Sequence, residues 1–356
     1  MRVGIITLSL ENNYGGILQN FALQKVLKDM GHTPMTCRWP GYTNLGFIKA
    51  ALFSVLKGGR NFPTPPWTYN KSRKGLEDFI KQNIDYRFYR DPNKFLRWFN
   101  PQAMIVGSDQ VWRPKYNSHL YFAYLDFVKD KYVKRIAYAA SFGVGEWEYT
   151  KEQETICSEL IGQFYAVSVR EQSGVELCEE HLGVSAQCVL DPTLLLDREV
   201  YEELCSSIPK EDESILVYMV DYSEAIKQQA EKLSQSTGLP IKIIEADKGV
   251  TQNDSVAKWL AAFRDAKYVI TDSFHGTVFS IIFEKNFVAI GNERRGYDRF
   301  VSLLGSFHLA DKLVEENNIN SINNNVLSSL DYTCINKIKC EKVYDSREFI
   351  SMVLND

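Results

Sequence analysis

Short β-rich runs alternate with amphipathic helical segments along most of the chain, and no other feature limits the available folds as strongly. Arg2 to Leu8 (RVGIITL) reads as a buried strand. Gly15-Gly16 then opens a helical spacing of Ile17, Leu18, Phe21, Ala22, Val26 and Leu27, which Gly31 ends. Strands are predicted at Ala103 to Val106, Arg135 to Ala140 and Tyr165 to Val169, with helices from about Thr150 to Gln163 and from beyond Glu171 to His181. The second half repeats the pattern, with strands at Ile215 to Val220, Ile241 to Ile244, Tyr268 to Thr271 and Phe287 to Ile290. Helices are expected between them at Ser223 to Ser234, Val256 to Phe263 and Gly276 to Phe283, and after them at Gly296 to Leu304. Strands separated by helices of this length imply parallel sheets wound by right-handed crossovers.

At 356 residues the chain exceeds the length over which one core keeps growing. The expected architecture is α/β, with two Rossmann-like domains facing across a cleft between the carboxyl edges of their sheets. The N-terminal domain is expected at 1–165 with an insertion at about 40–100, the C-terminal domain at 166–325, and a closing helix at 326–356 packing back toward the first domain. GGILQ after the first strand is not GxGxxG, so a dinucleotide site is weakly supported, and the two glycines serve either the turn or a ligand.

The net charge of −4 argues against a nucleic-acid partner held by bulk electrostatics. Seven cysteines (37, 157, 178, 188, 205, 334 and 340) show no CxxC pair or metal spacing, as for reduced thiols in the cytoplasm. The first residues meet Glu and Asn too early for a secretory segment, and no apolar run approaches the roughly 20 residues that cross a bilayer. Met30 to Leu76 carries seven Lys and Arg residues and no acid, around the amphipathic run Phe47 to Leu56. That stretch reads either as an insertion with solvated lysines or as a contact with the inner face of an anionic membrane.

Polar residues gather at the carboxyl ends of the predicted strands. In KYVITDSFHGTVFSIIF (Lys267 to Phe283), Asp272, Ser273, Phe274 and His275 occupy a strand-to-helix turn. The helix that follows aims free N–H groups and its positive end at whatever lies there, and histidine is the residue type suited to proton transfer near neutral pH. Asn13, Gly15, Gly16, Asp109, Ser141 and Arg170 fall at comparable places, with Arg294, Arg295 and Arg299 after the last strand. Arginines of this kind suit a small ligand bearing carboxylate or phosphate. For each the bland alternative is open: a satisfied core histidine, a surface ion pair at Arg170, solvated arginines in RRGYDR.

NNYGGILQNFALQKVLKDMGH, MIVGSDQVWRP, YAASFG, SVRE, DPTLLL, TDSFHGTVFSIIF and NERRGYDRFVSLL together resemble, in order and spacing, the polysaccharide pyruvyl transferase family. The resemblance implies a fold like that of GT-B glycosyltransferases and transfer of the pyruvyl group of phosphoenolpyruvate to a sugar of a bacterial surface polysaccharide or its precursor, as a ketal. It implies phosphoenolpyruvate as co-substrate with no cofactor or metal, and a sugar acceptor that is free, nucleotide-linked or lipid-linked. By this reading His275 is catalytic with Asp109 or Asp272 as base; Arg170, Ser273, Gly276, Arg295 and Arg299 hold the donor. Asn13, Tyr14, Gly15, Gly16 and Trp112 are expected on the acceptor side. Many members carry arginine where this chain has Ser273, so Arg294, Arg295 or Arg299 would substitute for it. The competing readings are a nucleotide-sugar-dependent glycosyltransferase and a non-catalytic sugar-binding protein.

Overall fold

A computed structural model of the chain describes all residues except 11–12, 39–73, 90, 222, 247–254, 292–295, 316–317, 320–321, 323–328 and 356. The amphipathic run Phe47 to Leu56, most of the basic stretch, most of the Asn-rich stretch, and Arg294 and Arg295 lie outside the described residues.

The first unit contains β1 (Arg2–Ile6), α1 (Tyr14–Asp29), β2 (Thr33–Arg38), α2 (Lys74–Asn83), β3 (Tyr86–Phe88), α3 (Pro92–Phe99) and β4 (Ala103–Val106). It continues through β5 (Lys134–Ala140), α4 (Lys151–Ile161), β6 (Ala166–Val169), α5 (Gln172–Leu182) and β7 (Gln187–Cys188). Its strands form one parallel sheet in the order β3-β2-β1-β4-β5-β6-β7. The inner strands are buried on both faces, as the unbroken apolar runs of β1 and β4 require. Of the expected insertion at about 40–100, the described residues form α2, β3 and α3, with β3 pairing to β2 at the edge of the sheet.

After β7 the chain crosses through a 3-10 turn (Pro192–Leu195) and α6 (Arg198–Leu204). The second unit runs β8 (Ser214–Met219), α7 (Glu224–Thr237), β9 (Ile241–Glu245), α8 (Val256–Asp265), β10 (Ala266–Thr271), α9 (Phe274–Ile282), β11 (Asn286–Gly291), α10 (Tyr297–Ser306) and β12 (Leu313–Glu315). Its parallel sheet has the order β12-β11-β10-β8-β9. The expected boundary at residue 165 therefore falls inside the first sheet, since β6 and β7 still pair there. An exposed edge strand of two residues is too short to carry a periodic signal.

Both orders reverse direction once, between β1 and β4 and between β8 and β10, and such switch points open crevices at the carboxyl ends. The last helix, α11 (Tyr332–Asn355), spans both units as expected. The Tyr332 hydroxyl donates to Lys285 O (2.6 Å) in the second unit. Farther along, Ser346 Oγ accepts from Leu190 N (3.0 Å), Lys134 Nζ donates to Val353 O (3.0 Å), and Phe349 packs on Tyr138 of β5. One apolar core runs from β1 and α1 through α8 and α9 to α11, so the units share an interior along one side. Among the described residues no helix is long and apolar enough to cross a membrane.

Candidate active site

The two switch points meet. Ser273, two residues past β10, caps α9: its Oγ accepts from Gly276 N at 3.2 Å, which leaves the N–H groups of Phe274 and His275 as that helix's uncommitted donors among the described residues. His275, 5% exposed, presses against the first turn of α1 in the other unit. A Cβ added to Gly15 would lie 2.7 Å from His275 Cβ and closer still to Cγ and Nδ1. Only a residue without a side chain admits the imidazole there. Buried Gln19 fixes the first switch point: its Nε2 donates to Thr7 Oγ1 and Gly16 O (both 2.9 Å), and its Oε1 accepts from Ser108 N (3.1 Å).

Asp191 joins the halves. Its fully buried carboxylate accepts through Oδ2 from Arg170 Nη1 (2.7 Å) and Ser108 Oγ (3.2 Å), and through Oδ1 from Thr193 N (3.0 Å) and Oγ1 (2.7 Å). His275 Nε2 stands 3.6 Å from the same Oδ2, an ion-pair distance just beyond a hydrogen bond. Burial opposes the Asp191 charge, but His275, Arg170 and Thr193 outweigh it and hold the carboxyl far below the usual range.

Arg170 follows β6 and also faces Asp109 Oδ1 at 3.6 Å. Burial works against its charge, yet Asp191, Asp109 and Glu171 raise its pKa. Arg299, on α10, also packs against Phe274: the guanidinium carbons of Arg170 and Arg299 are 4.4 and 5.1 Å from that ring's centroid. Burial first, and then the charge of Arg170, lower the Arg299 pKa to about 10. Two buried guanidiniums close enough for Arg170 to depress Arg299 suit an anion of more than one charge. Glu171 holds the neighbouring loop, its Oε1 accepting from Ser141 Oγ (3.0 Å), Phe142 N (2.7 Å) and Gly143 N (2.9 Å).

Several expected roles change. Asp272, proposed as a base, accepts Val220 N (2.6 Å) and Asp221 N (2.9 Å) on its two oxygens, bracing the ends of β8 and β10. Trp112, expected on the acceptor side, is fully buried beside Tyr124, with Nε1 donating to Ala123 O (3.0 Å). Tyr14 stacks on Trp259 of α8 (5.3 Å between centroids), so its ring belongs to the shared core. Gly276 is glycine for packing, since a Cβ would stand 3.0 Å from Thr271 Cβ and Tyr218 Cδ1, and its N–H serves the Ser273 cap. Asn13 is the exposed N-cap residue of α1 and makes no side-chain cap bond; Gly16 faces it. Arg295 lies outside the described residues. Asp191, Ser108, Gln19 and Glu171 escaped notice, although Asp-Pro-Thr after an apolar pair is an Asx-turn signal.

No curated protein matches the chain. Solved structures match along nearly its whole length. A UDP-GlcNAc 2-epimerase from Neisseria meningitidis has 12% identity, 99% coverage of both chains and a TM-score of 0.52. A glycosyltransferase from Rickettsia africae has 10% identity, coverage of 100% of this chain and 98% of that one, and a TM-score of 0.52. Identities this low establish the GT-B arrangement of two Rossmann-like units and nothing finer. The family described as polysaccharide pyruvyl transferase matches residues 13–294, which take in the glycine turn, Asp109, Arg170, Asp191 and His275: the chain belongs to the polysaccharide pyruvyl transferase family.

Proposed function

We propose that the protein transfers the pyruvyl group of phosphoenolpyruvate to two hydroxyls of a sugar, forming a cyclic ketal and releasing phosphate. The observation that carries this reading is the pair Arg170 and Arg299, both buried against the ring of Phe274, which in turn packs edge-on to His275. A donor with both a carboxylate and a phosphate offers one anion to each guanidinium. Arg299 thus takes the place of the arginine that other members carry at the position of Ser273.

In this scheme protonated His275 gives its proton to the methylene carbon of the enol, and positive charge develops at C2, which the adjacent carboxylate offsets. One sugar hydroxyl bonds to C2 and loses its proton to Asp109 or back to His275. The second hydroxyl then bonds to C2, the C2–O bond to phosphate breaks, and phosphate departs with the second hydroxyl proton. Asp109, 3.6 Å from Arg170 and 6% exposed, is the carboxylate suited to the base role, since Asp272 is committed to backbone groups. A lipid-linked acceptor would keep the reaction close to a membrane surface.

Phosphate release from phosphoenolpyruvate, measured against a panel of β-galactosides and N-acetylhexosamines, tests the reading. Phosphoenolpyruvate should also raise the melting temperature, as a ligand of the native state must. Stabilisation by a nucleotide-sugar and not by phosphoenolpyruvate would replace this proposal with a glycosyltransferase. Stabilisation by free sugar alone would indicate a non-catalytic binder.

A further inference from the structure

We infer that Asp191 is a positioning residue that turns His275 so that its Nε2–H faces the Asp191 carboxylate, leaving Nδ1, beside Gly15, as the nitrogen that passes the proton. The inference rests on the proposed pyruvyl transfer for its kinetic consequences, but not for the geometry itself.

The geometry begins with the hydrogen-bond inventory. His275 Nε2 is buried and has no hydrogen-bond partner among the described residues, and a buried N–H left without an acceptor costs about 1–3 kcal/mol. Asp191 Oδ2, 3.6 Å away, is the acceptor within reach. Ser108 and Arg170 occupy that same oxygen and Thr193 holds the other, so the carboxylate is pinned by four donors from the first unit and the crossover. A neutral imidazole carries its hydrogen on the nitrogen that has an acceptor, and the other nitrogen remains the base. That other nitrogen, Nδ1, lies 2.0 Å from where a Gly15 Cβ would stand, so it fits only because residue 15 carries no side chain. When Nδ1 takes a proton, the buried carboxylate lies opposite the new charge, an arrangement that in hydrolytic triads holds a histidine in the working tautomer.

The alternative is that Asp191 braces Arg170 only. A tautomer measurement separates the two without any need for activity. In protein labelled with 15N-histidine, the resonances of His275 are identified among the chain's five histidines by their loss in His275→Gln. Long-range proton–nitrogen correlation should show the Nε2–H tautomer in the neutral form, and Asp191→Asn should abolish that preference. An Nδ1–H tautomer in the wild type would overturn the assignment, and this result stands even if Asp191→Asn does not fold.

Kinetics supplies the second arm. Asp191→Asn should lower kcat for phosphate release by something on the order of 10²- to 10⁴-fold, with KM for phosphoenolpyruvate much less affected. In a His275→Gln background the same change should cause no further loss, because residues acting through one another do not add. Additive losses, or a raised KM with kcat unchanged, would assign Asp191 to Arg170 alone and overturn the inference. Absence of phosphate release from the wild type with every acceptor would sink the pyruvyl-transfer reading and leave the tautomer result to decide this one.

Discussion

Gly15→Ala probes the contact between the two switch points with one added carbon. The new Cβ would stand 2.0 Å from His275 Nδ1, 2.1 Å from Cγ and 2.7 Å from Cβ, against the roughly 3.5–4.0 Å at which such atoms rest, so the ring must retreat by roughly 1–2 Å. Gly15 lies in the first turn of α1, where alanine is the better helix former by up to about 1 kcal/mol. Overpacking a tight site costs about 1–3 kcal/mol, so the net loss of stability should be about 0–2 kcal/mol and the melting temperature should fall by no more than a few degrees. Activity is far more sensitive, since a displacement of about 1 Å at a reacting group costs about 10²-fold. Phosphate release by Gly15→Ala should therefore drop about a hundredfold while the fold persists. Gly16→Ala is the matched control: its Cβ would meet Asn13 Cβ at 3.5 Å, an ordinary contact, so activity should hold and stability should rise slightly. Turnover of Gly15→Ala within threefold of wild type would refute the claim that the imidazole position depends on a bare backbone at residue 15.

Phe274→Leu should weaken phosphoenolpyruvate binding about tenfold, as measured by calorimetry, because both guanidiniums lose an aromatic partner that contributes about 0.5–2 kcal/mol each. Trp112→Phe should lower stability by about 1–3 kcal/mol through the lost bond to Ala123 O, while KM for the acceptor is unchanged in a titration of sugar. Burial pushes Asp272 up to about 6, against the two backbone N–H groups, so the folded state binds more protons than the unfolded state between about pH 4 and 6. Its contribution thus makes stability fall as pH rises through that window, and urea midpoints at pH 4, 5, 6 and 7 should show the slope shrink in Asp272→Asn. Phe349→Ala, at a buried contact between α11 and β5, should cost about 3 kcal/mol and lower the urea midpoint.

Periodicity exposed the parallel α/β scheme and eight of the twelve described strands, because strands buried on two faces write long apolar runs such as Ile215 to Met219. It also placed Arg170 and His275 at carboxyl edges, where the structure brings both to Asp191. Among the strands it missed, β3 is exposed over two of its three residues, β7 has two residues with no buried side chain, β12 has three residues, and β2 breaks its apolar run with Pro34 and two threonines. Residue type alone misplaced Trp112 and Asp272, since a tryptophan after a strand and an aspartate beside a histidine look the same whether they meet a ligand, an Ala123 carbonyl or two backbone N–H groups. Asp191 was hidden for the opposite reason. Its partners Ser108, Arg170 and His275 lie 83, 21 and 84 positions away, and only the crossing of the chain between sheets assembles them.

That division of labour limits how such proteins can be recombined. A chimera that takes its first unit from one family member and its second from another inherits Ser108, Arg170 and Asp191 from one parent and His275 from the other. A junction near residue 165 would cut β6 and β7 away from their sheet, whereas one between Leu196 and Ser214 leaves the Asp191 turn with its own donors. Even that graft must respect two distant matches, a glycine facing the incoming imidazole and a terminal helix whose two ends were shaped by different units. Exchange of properties among relatives should therefore proceed more readily by replacing single loops at the sheet rims than by trading whole domains.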